Sequence, residues 1–154
     1  GTKPDRRVGI RKEFTMSKIA VVFWSGTGNT ETMAGAVAEG AREAGAEVEE
    51  FQAADFSADA IAGYDALAFG CPAMGDESLE EDEFEPMFEA AEDALSGKKV
   101  GLFGSYDWGT GDWMDTWRER TEGDGAEVVS TVIANLEPDD DALAACKALG
   151  AALA

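Results

Sequence analysis

An apolar run, Ile19-Ala20-Val21-Val22-Phe23, ends at Trp24-Ser25-Gly26-Thr27-Gly28-Asn29-Thr30 and passes at once into a helical pattern carried by Met33, Val37 and a series of alanines. A short apolar run closed by turn residues reads as a buried strand, and apolar spacings of three and four read as a helix. The intervening residues form a strand-to-helix turn, the building unit of parallel α/β folds. Glycines let this backbone turn tightly and approach a ligand closely. The N–H groups that open the helix have no partner within it and attract an anion. The hydroxyls of Ser25, Thr27 and Thr30 add polar groups, and there is no Lys or Arg in the stretch. The sequence therefore predicts a phosphate cradle of dipoles and hydroxyls rather than of cations.

Three common phosphate motifs do not fit this turn. A P-loop requires Lys after its last Gly, where Asn29 stands. The dinucleotide fingerprint matches at Gly26 and Gly28, but Glu31 occupies its third glycine position. A phosphatase-type cysteine loop needs Cys and Arg, and neither is present.

From Ser17 onward strand and helix patterns alternate. The strands expected are Lys18–Trp24, Glu47–Gln52, Tyr64–Gly70, Lys98–Ser105 and Ala126–Ala134. The helices expected are Thr30–Ala44, a short one at Ser57–Ala62, then Phe84–Leu95 and Asp112–Glu122, with a last one opening at Glu137-Pro138. Five strands alternating with helices predict a parallel sheet covered on both faces, a three-layer α/β sandwich. Ligands in such sheets sit beyond the carboxyl ends of the strands. The loops after the first, third and fourth strands, residues 25–30, 71–79 and 105–111, are therefore expected to converge.

The second of these loops reads Cys71-Pro72-Ala73-Met74-Gly75-Asp76-Glu77 and the third Ser105-Tyr106-Asp107-Trp108-Gly109-Thr110-Gly111. A polarisable Met and an indole, each in glycine-rich loop sequence, suggest two walls of a slot for a flat ring. Trp113 and Trp117, four apart on a helix, read as packing residues, with Trp113 a candidate for the slot's edge.

Composition narrows the functional classes. The 154 residues carry 32 acidic and 12 basic side chains, a net charge of −20, and no His. Nucleic acid and anionic membranes are poor partners for such a chain. No apolar run reaches membrane-spanning length. Two cysteines, Cys71 and Cys146, form no framework pattern, and a reducing cytoplasm is the expected setting. Residues 1–15 hold Lys3, Arg6, Arg7, Arg11 and Lys12 against Asp5 and Glu13. They read as a mobile leader or upstream extension, and residues 16–154 as one domain.

Taken together, Ser25-Gly26-Thr27-Gly28-Asn29-Thr30, Gly70-Cys71-Pro72-Ala73-Met74-Gly75-Asp76-Glu77 and Phe103-Gly104-Ser105-Tyr106-Asp107-Trp108-Gly109 resemble the flavodoxins, most of all the short-chain clostridial type. The likeness runs from Met16 to the C-terminus. Flavodoxin is the type example of a doubly wound sheet of order 2-1-3-4-5 with FMN at the switch point, so the resemblance implies both the strand order and the cofactor. The resemblance implies an FMN site formed by Trp24, Ser25, Gly26, Thr27, Gly28, Asn29 and Thr30, by Pro72, Ala73, Met74, Gly75, Asp76 and Glu77, and by Ser105, Tyr106, Asp107, Trp108 and Gly109. Ser25, Thr27, Asn29 and Thr30 would hold the phosphate, and Met74 and Trp108 would sandwich the isoalloxazine. Gly75 would offer its carbonyl to N5–H of the one-electron-reduced flavin after a peptide flip, and Glu77 would meet the N3 side. Backbone N–H groups at 107 and 109 would meet the pyrimidine oxygen and N1. Asp107 departs from the glycine common at its place in the family.

The implied function is a low-potential one-electron carrier cycling between semiquinone and hydroquinone, not an enzyme. Asp76, Glu77, Glu80, Glu81, Asp82, Glu83 and Glu85 crowd one loop. A carboxylate ~10 Å from an anionic ring costs about 1.7 kcal/mol at an effective dielectric near 20, roughly 70 mV for one electron. The same acidic rim would steer redox enzymes with basic docking patches toward a monomeric carrier. The alternative is a small FMN-dependent reductase, for which the chain leaves little sequence to build a second substrate pocket. A phosphoacceptor receiver shares the architecture but needs an Asp where Gly70-Cys71 ends the third strand.

Overall fold

The computed structural model describes residues 17–74 and 77–154. The expectations for residues 1–15, and those for Gly75 and Asp76, lie outside the described residues. Five parallel strands, β1 (Lys18–Phe23), β2 (Glu47–Gln52), β3 (Ala66–Gly70), β4 (Lys99–Tyr106) and β5 (Glu127–Asn135), form one sheet in the order β2-β1-β3-β4-β5. Three helices connect strands, α1 (Asn29–Glu43), α2 (Phe84–Ala91) and α3 (Asp112–Gly123), and α4 (Asp140–Leu153) follows β5. Short 3-10 turns lie at Ala53–Asp55, Ala58–Gly63 and Glu92–Ala94.

The period of two in the central strands produces two cores. Ile19, Val21 and Phe23 of β1 point with Ala66, Ala68 and Phe103 toward α1 and α4. Ala20 and Val22 point with Leu67, Phe69, Val100 and Leu102 toward α2 and α3. All five residues of β3 are buried, as expected of a strand covered on both faces. On the second face, Phe84, Phe88 and Trp117 meet edge to face or stacked, with centroids 5.5 to 6.1 Å apart. Their shared contact seats α2 against α3.

Several boundaries differ from the sequence expectation, each for a local reason. α4 opens at Asp140 rather than at Glu137-Pro138, because Asp139 caps it, its Oδ1 accepting the Ala142 N–H at 2.8 Å. β5 runs on to Asn135, which pairs with Tyr106 of β4. The helix expected to end at Leu95 is α-helical only to Ala91 and tightens into the 3-10 turn beyond it. β3 begins at Ala66, since Tyr64 caps the preceding 3-10 turn and packs on Phe51 and Phe56. Among the described residues no helix is long and apolar enough to cross a membrane.

Candidate functional site

The parallel sheet brings the ends of β1, β3, β4 and β5 to one edge. Trp24, Ser25, Gly26, Thr27, Asn29 and Thr30 line a cleft there with Pro72, Ala73 and Met74, with Ser105, Tyr106 and Asp107, and with Leu136. The cleft encloses about 260 Å³ and stays open to solvent. Gly28, Glu77, Trp108 and Gly109, also expected at the site, do not line it.

The turn after β1 is shaped by Gly28, whose φ of 98° puts the helix cap in the left-handed region that glycine enters at little cost. The Ser25 hydroxyl oxygen accepts from the N–H of Gly28 at 3.1 Å and from that of Glu31 at 3.2 Å. It thus folds the loop back over the start of α1. Among the described residues nothing accepts from the N–H groups of Gly26, Thr27, Asn29 and Thr30, which leaves four donors around the loop. Thr30 is buried at the cleft floor, its hydroxyl 3.0 Å from that of Ser105. That pair joins the start of α1 to the end of β4.

The walls are apolar. Met74 stands at the rim, and Tyr106 backs onto the buried Trp113 with ring centroids 5.6 Å apart. Trp113 is therefore a core residue one layer behind the cleft rather than its edge, and Trp117 is core as expected. Trp108 projects from the loop after β4 and is 74% exposed. Leu136, half exposed, was not expected at the site. Its N–H donates to the Tyr106 carbonyl at 2.7 Å, and the Asn135 amide donates to the Asp107 carbonyl at 2.9 Å. The signal that could have found it is the strand-end rule itself, applied to the fifth strand as well as to the first, third and fourth.

The acidic stretch after β3 is less uniform than its sequence. Glu80 is buried, and its carboxylate accepts from the N–H groups of Asp82, Glu83 and Phe84, each at 2.8 Å. Burial alone would raise its pKa; the three backbone donors outweigh that and hold it below the usual carboxylate range. Glu85 makes a forked pair with Arg120 at 2.9 and 2.6 Å, and Arg120 reaches on to Glu92. Glu83 accepts from the Trp24 indole N–H at 3.1 Å. Cys71 lies beneath this stretch, its thiol pushed up by burial, and Cys146 is likewise pushed up to about 12. Neither is a reactive thiolate. Among the described residues no group of carboxylates or thiols could hold a metal ion.

This donor set suits a monophosphate on a flat heterocycle: dipoles and no cation at one end, apolar side chains at the other. The flavodoxin family model matches residues 21–150. The chain belongs to the flavodoxin family. It is 49% identical to the flavodoxin of Megasphaera elsdenii over 136 residues, which cover 88% of this chain and 98% of that protein. It is 50% identical to the flavodoxin of Clostridium beijerinckii over 121 residues, covering 78% of this chain and 88% of the relative. The solution structure of two-electron reduced Megasphaera elsdenii flavodoxin superposes with a TM-score of 0.82 over 88% of this chain and 97% of that one. Flavodoxins are FMN-binding electron carriers and not enzymes, so the chain is a short-chain flavodoxin with FMN as its cofactor, and the reductase alternative is not favoured.

Proposed function

We propose that this flavodoxin carries single electrons at low potential between redox proteins in the cytoplasm, as a monomer that docks on basic patches of its partners. The observation that carries the reading is one cleft holding a cation-free anion cradle at the start of α1 beside an apolar wall drawn from three other strand ends. FMN, when bound, supplies the one-electron chemistry.

The chain's own residues bind, orient and tune. In this reading the N–H groups of Gly26, Thr27, Asn29 and Thr30, with the Thr27 hydroxyl and the Asn29 amide, hold the phosphate by dipoles alone. Ser25 works one step back, holding the loop in shape through Gly28 and Glu31. Trp24, Met74, Tyr106 and Leu136 shield the ring from water, and Trp108 on the loop after β4 forms the facing wall. The carboxylate of Asp107, which lines the cleft, opposes added negative charge there. With no Lys or Arg among the cleft residues, nothing offsets that opposition, and the second electron is the harder one to add.

Glu80 and Glu85 contribute less to this field than their position in the sequence suggests. One is engaged by backbone N–H groups and the other by Arg120. The rim that steers a basic partner is then carried by the exposed Glu81, Asp82, Asp107, Glu137 and Asp141.

Titration of the purified protein with FMN should quench flavin fluorescence to a 1:1 endpoint. Stepwise reduction should resolve two one-electron steps, and electron transfer to a basic acceptor should slow as salt rises. Absence of quenching would remove the cofactor assignment. A single two-electron step, or rates indifferent to salt, would remove the carrier mechanism or its docking mode respectively.

A further inference from the structure

Glu77 lies in the turn after β3, yet its carboxylate is held by the loop after β4. Oε1 accepts from the N–H groups of Thr110 and Gly111, each at 3.3 Å, and Oε2 accepts from the Thr110 hydroxyl at 3.4 Å. The receiving loop is shaped for this. Gly109 has φ +113° and Gly111 has φ +87°, so successive N–H groups turn toward one point. A Cβ on Gly109 would lie 2.6 Å from Glu77 Oε1, so a side chain there would displace the carboxylate. Gly111 also caps α3, whose N-terminal dipole favours a negative charge at this place.

Glu77 is held just as firmly at its own end. Its N–H donates to the Met74 carbonyl at 2.8 Å, and the Met74 N–H donates to the Ser78 carbonyl at 2.9 Å. Glu77 sits at φ +53°, a left-handed conformation that a non-glycine residue keeps only where its surroundings impose it. One strained backbone residue thus places one carboxylate into one ring of donors on the facing loop.

We infer that Glu77 is a positioning residue, a strut that fixes the Trp108-bearing loop against the turn that carries Met74. The inference rests on the proposed reading of Met74 and Trp108 as the two walls of the FMN slot. It adds that the walls are mechanically one unit, joined through Thr110 and Gly111, residues outside the cleft lining. Their spacing is then set before the ring arrives, which lowers the ordering cost of binding.

Two measurements test this. Amide hydrogen exchange, followed by NMR without added FMN, reads the strut directly. Glu77→Ala should speed exchange at Thr110 and Gly111 by about fivefold, the loss of one net hydrogen bond each. Glu77→Gln, which keeps an acceptor oxygen, should recover part of the protection. The second measurement is a double-mutant cycle on the FMN dissociation constant with Glu77→Ala and Thr110→Val. Thr110→Val should weaken binding about threefold in the native background and less than about 1.5-fold beside Glu77→Ala. A residue that only stabilises the fold would lower the melting temperature without that coupling. Unchanged exchange at 110 and 111 in Glu77→Ala, or additive effects in the cycle, would overturn the strut. A native protein that binds no FMN overturns the cofactor reading instead, and the exchange result then decides the strut alone.

Discussion

Replacing Gly40 by Ala puts helix propensity and tertiary packing in direct opposition. Gly40 lies inside α1, where propensity alone makes Ala more favourable by about 1 kcal/mol. The structure reverses the sign. A Cβ at Gly40 would fall 2.1 Å from the Lys147 carbonyl oxygen of α4, with two more Lys147 backbone atoms at 2.6 Å. The matching position on α4 is Gly150, whose Cβ would fall 2.0 Å from the Val37 carbonyl oxygen. Backbone meets backbone on both sides, so no rotamer change relieves the clash and the two helices must part by roughly 1 Å. Overpacking of this kind costs about 3 kcal/mol at its upper range, leaving a net loss of about 2 kcal/mol after the propensity gain. For a chain of this size that is a melting temperature lower by about 4–8 °C. The control is Gly35→Ala on the same helix, where nothing lies within 4 Å of the added carbon. It should be more stable by up to about 1 kcal/mol. Urea unfolding of the two variants and the native protein, at one fixed FMN concentration, gives the three midpoints. If Gly40→Ala matches or exceeds the native protein, the close approach of α1 and α4 is wrong and the reasoning fails with it.

Two further substitutions probe the network under α2 and α3. Arg120→Met should lower stability by about 2 kcal/mol, because Glu85 and Glu92 lose a forked partner while remaining partly shielded; an unchanged urea midpoint would show the network to be decorative. Burial, and then a hydrogen bond with Glu92, push Asp124 up to about 6 from its ordinary 3.8. The folded state therefore holds this proton more tightly, and the stability it contributes is complete below the ordinary value and lost as pH rises through about 6. Asp124→Asn should be more stable than the native protein at neutral pH and show a flatter profile across that window. Parallel profiles for the two proteins would rule out the shared proton. Glu92, held low by its Arg120 hydrogen bonds, has the opposite sign and loses its contribution on acidification.

The architecture and the strand-to-helix turn after β1 were legible because their determinants are local. β1, the turn at Ser25–Thr30 and α1 are consecutive, so apolar period, glycine placement and capping chemistry all act within one stretch of chain. The same holds for β3, whose five buried residues read as one apolar run. What tertiary structure alone decided are the partnerships across the chain. Seven carboxylates between 76 and 85 look alike as sequence. Only the fold delivers Arg120 to Glu85 from 35 residues away and hands Glu77 to Thr110 and Gly111. Leu136 reaches the cleft because β5 pairs with β4, a fact of register. Composition and periodicity report what each segment prefers by itself. Which charge finds a partner, and which glycine must stay a glycine, depends on distances between segments that exist only once the sheet has brought them together.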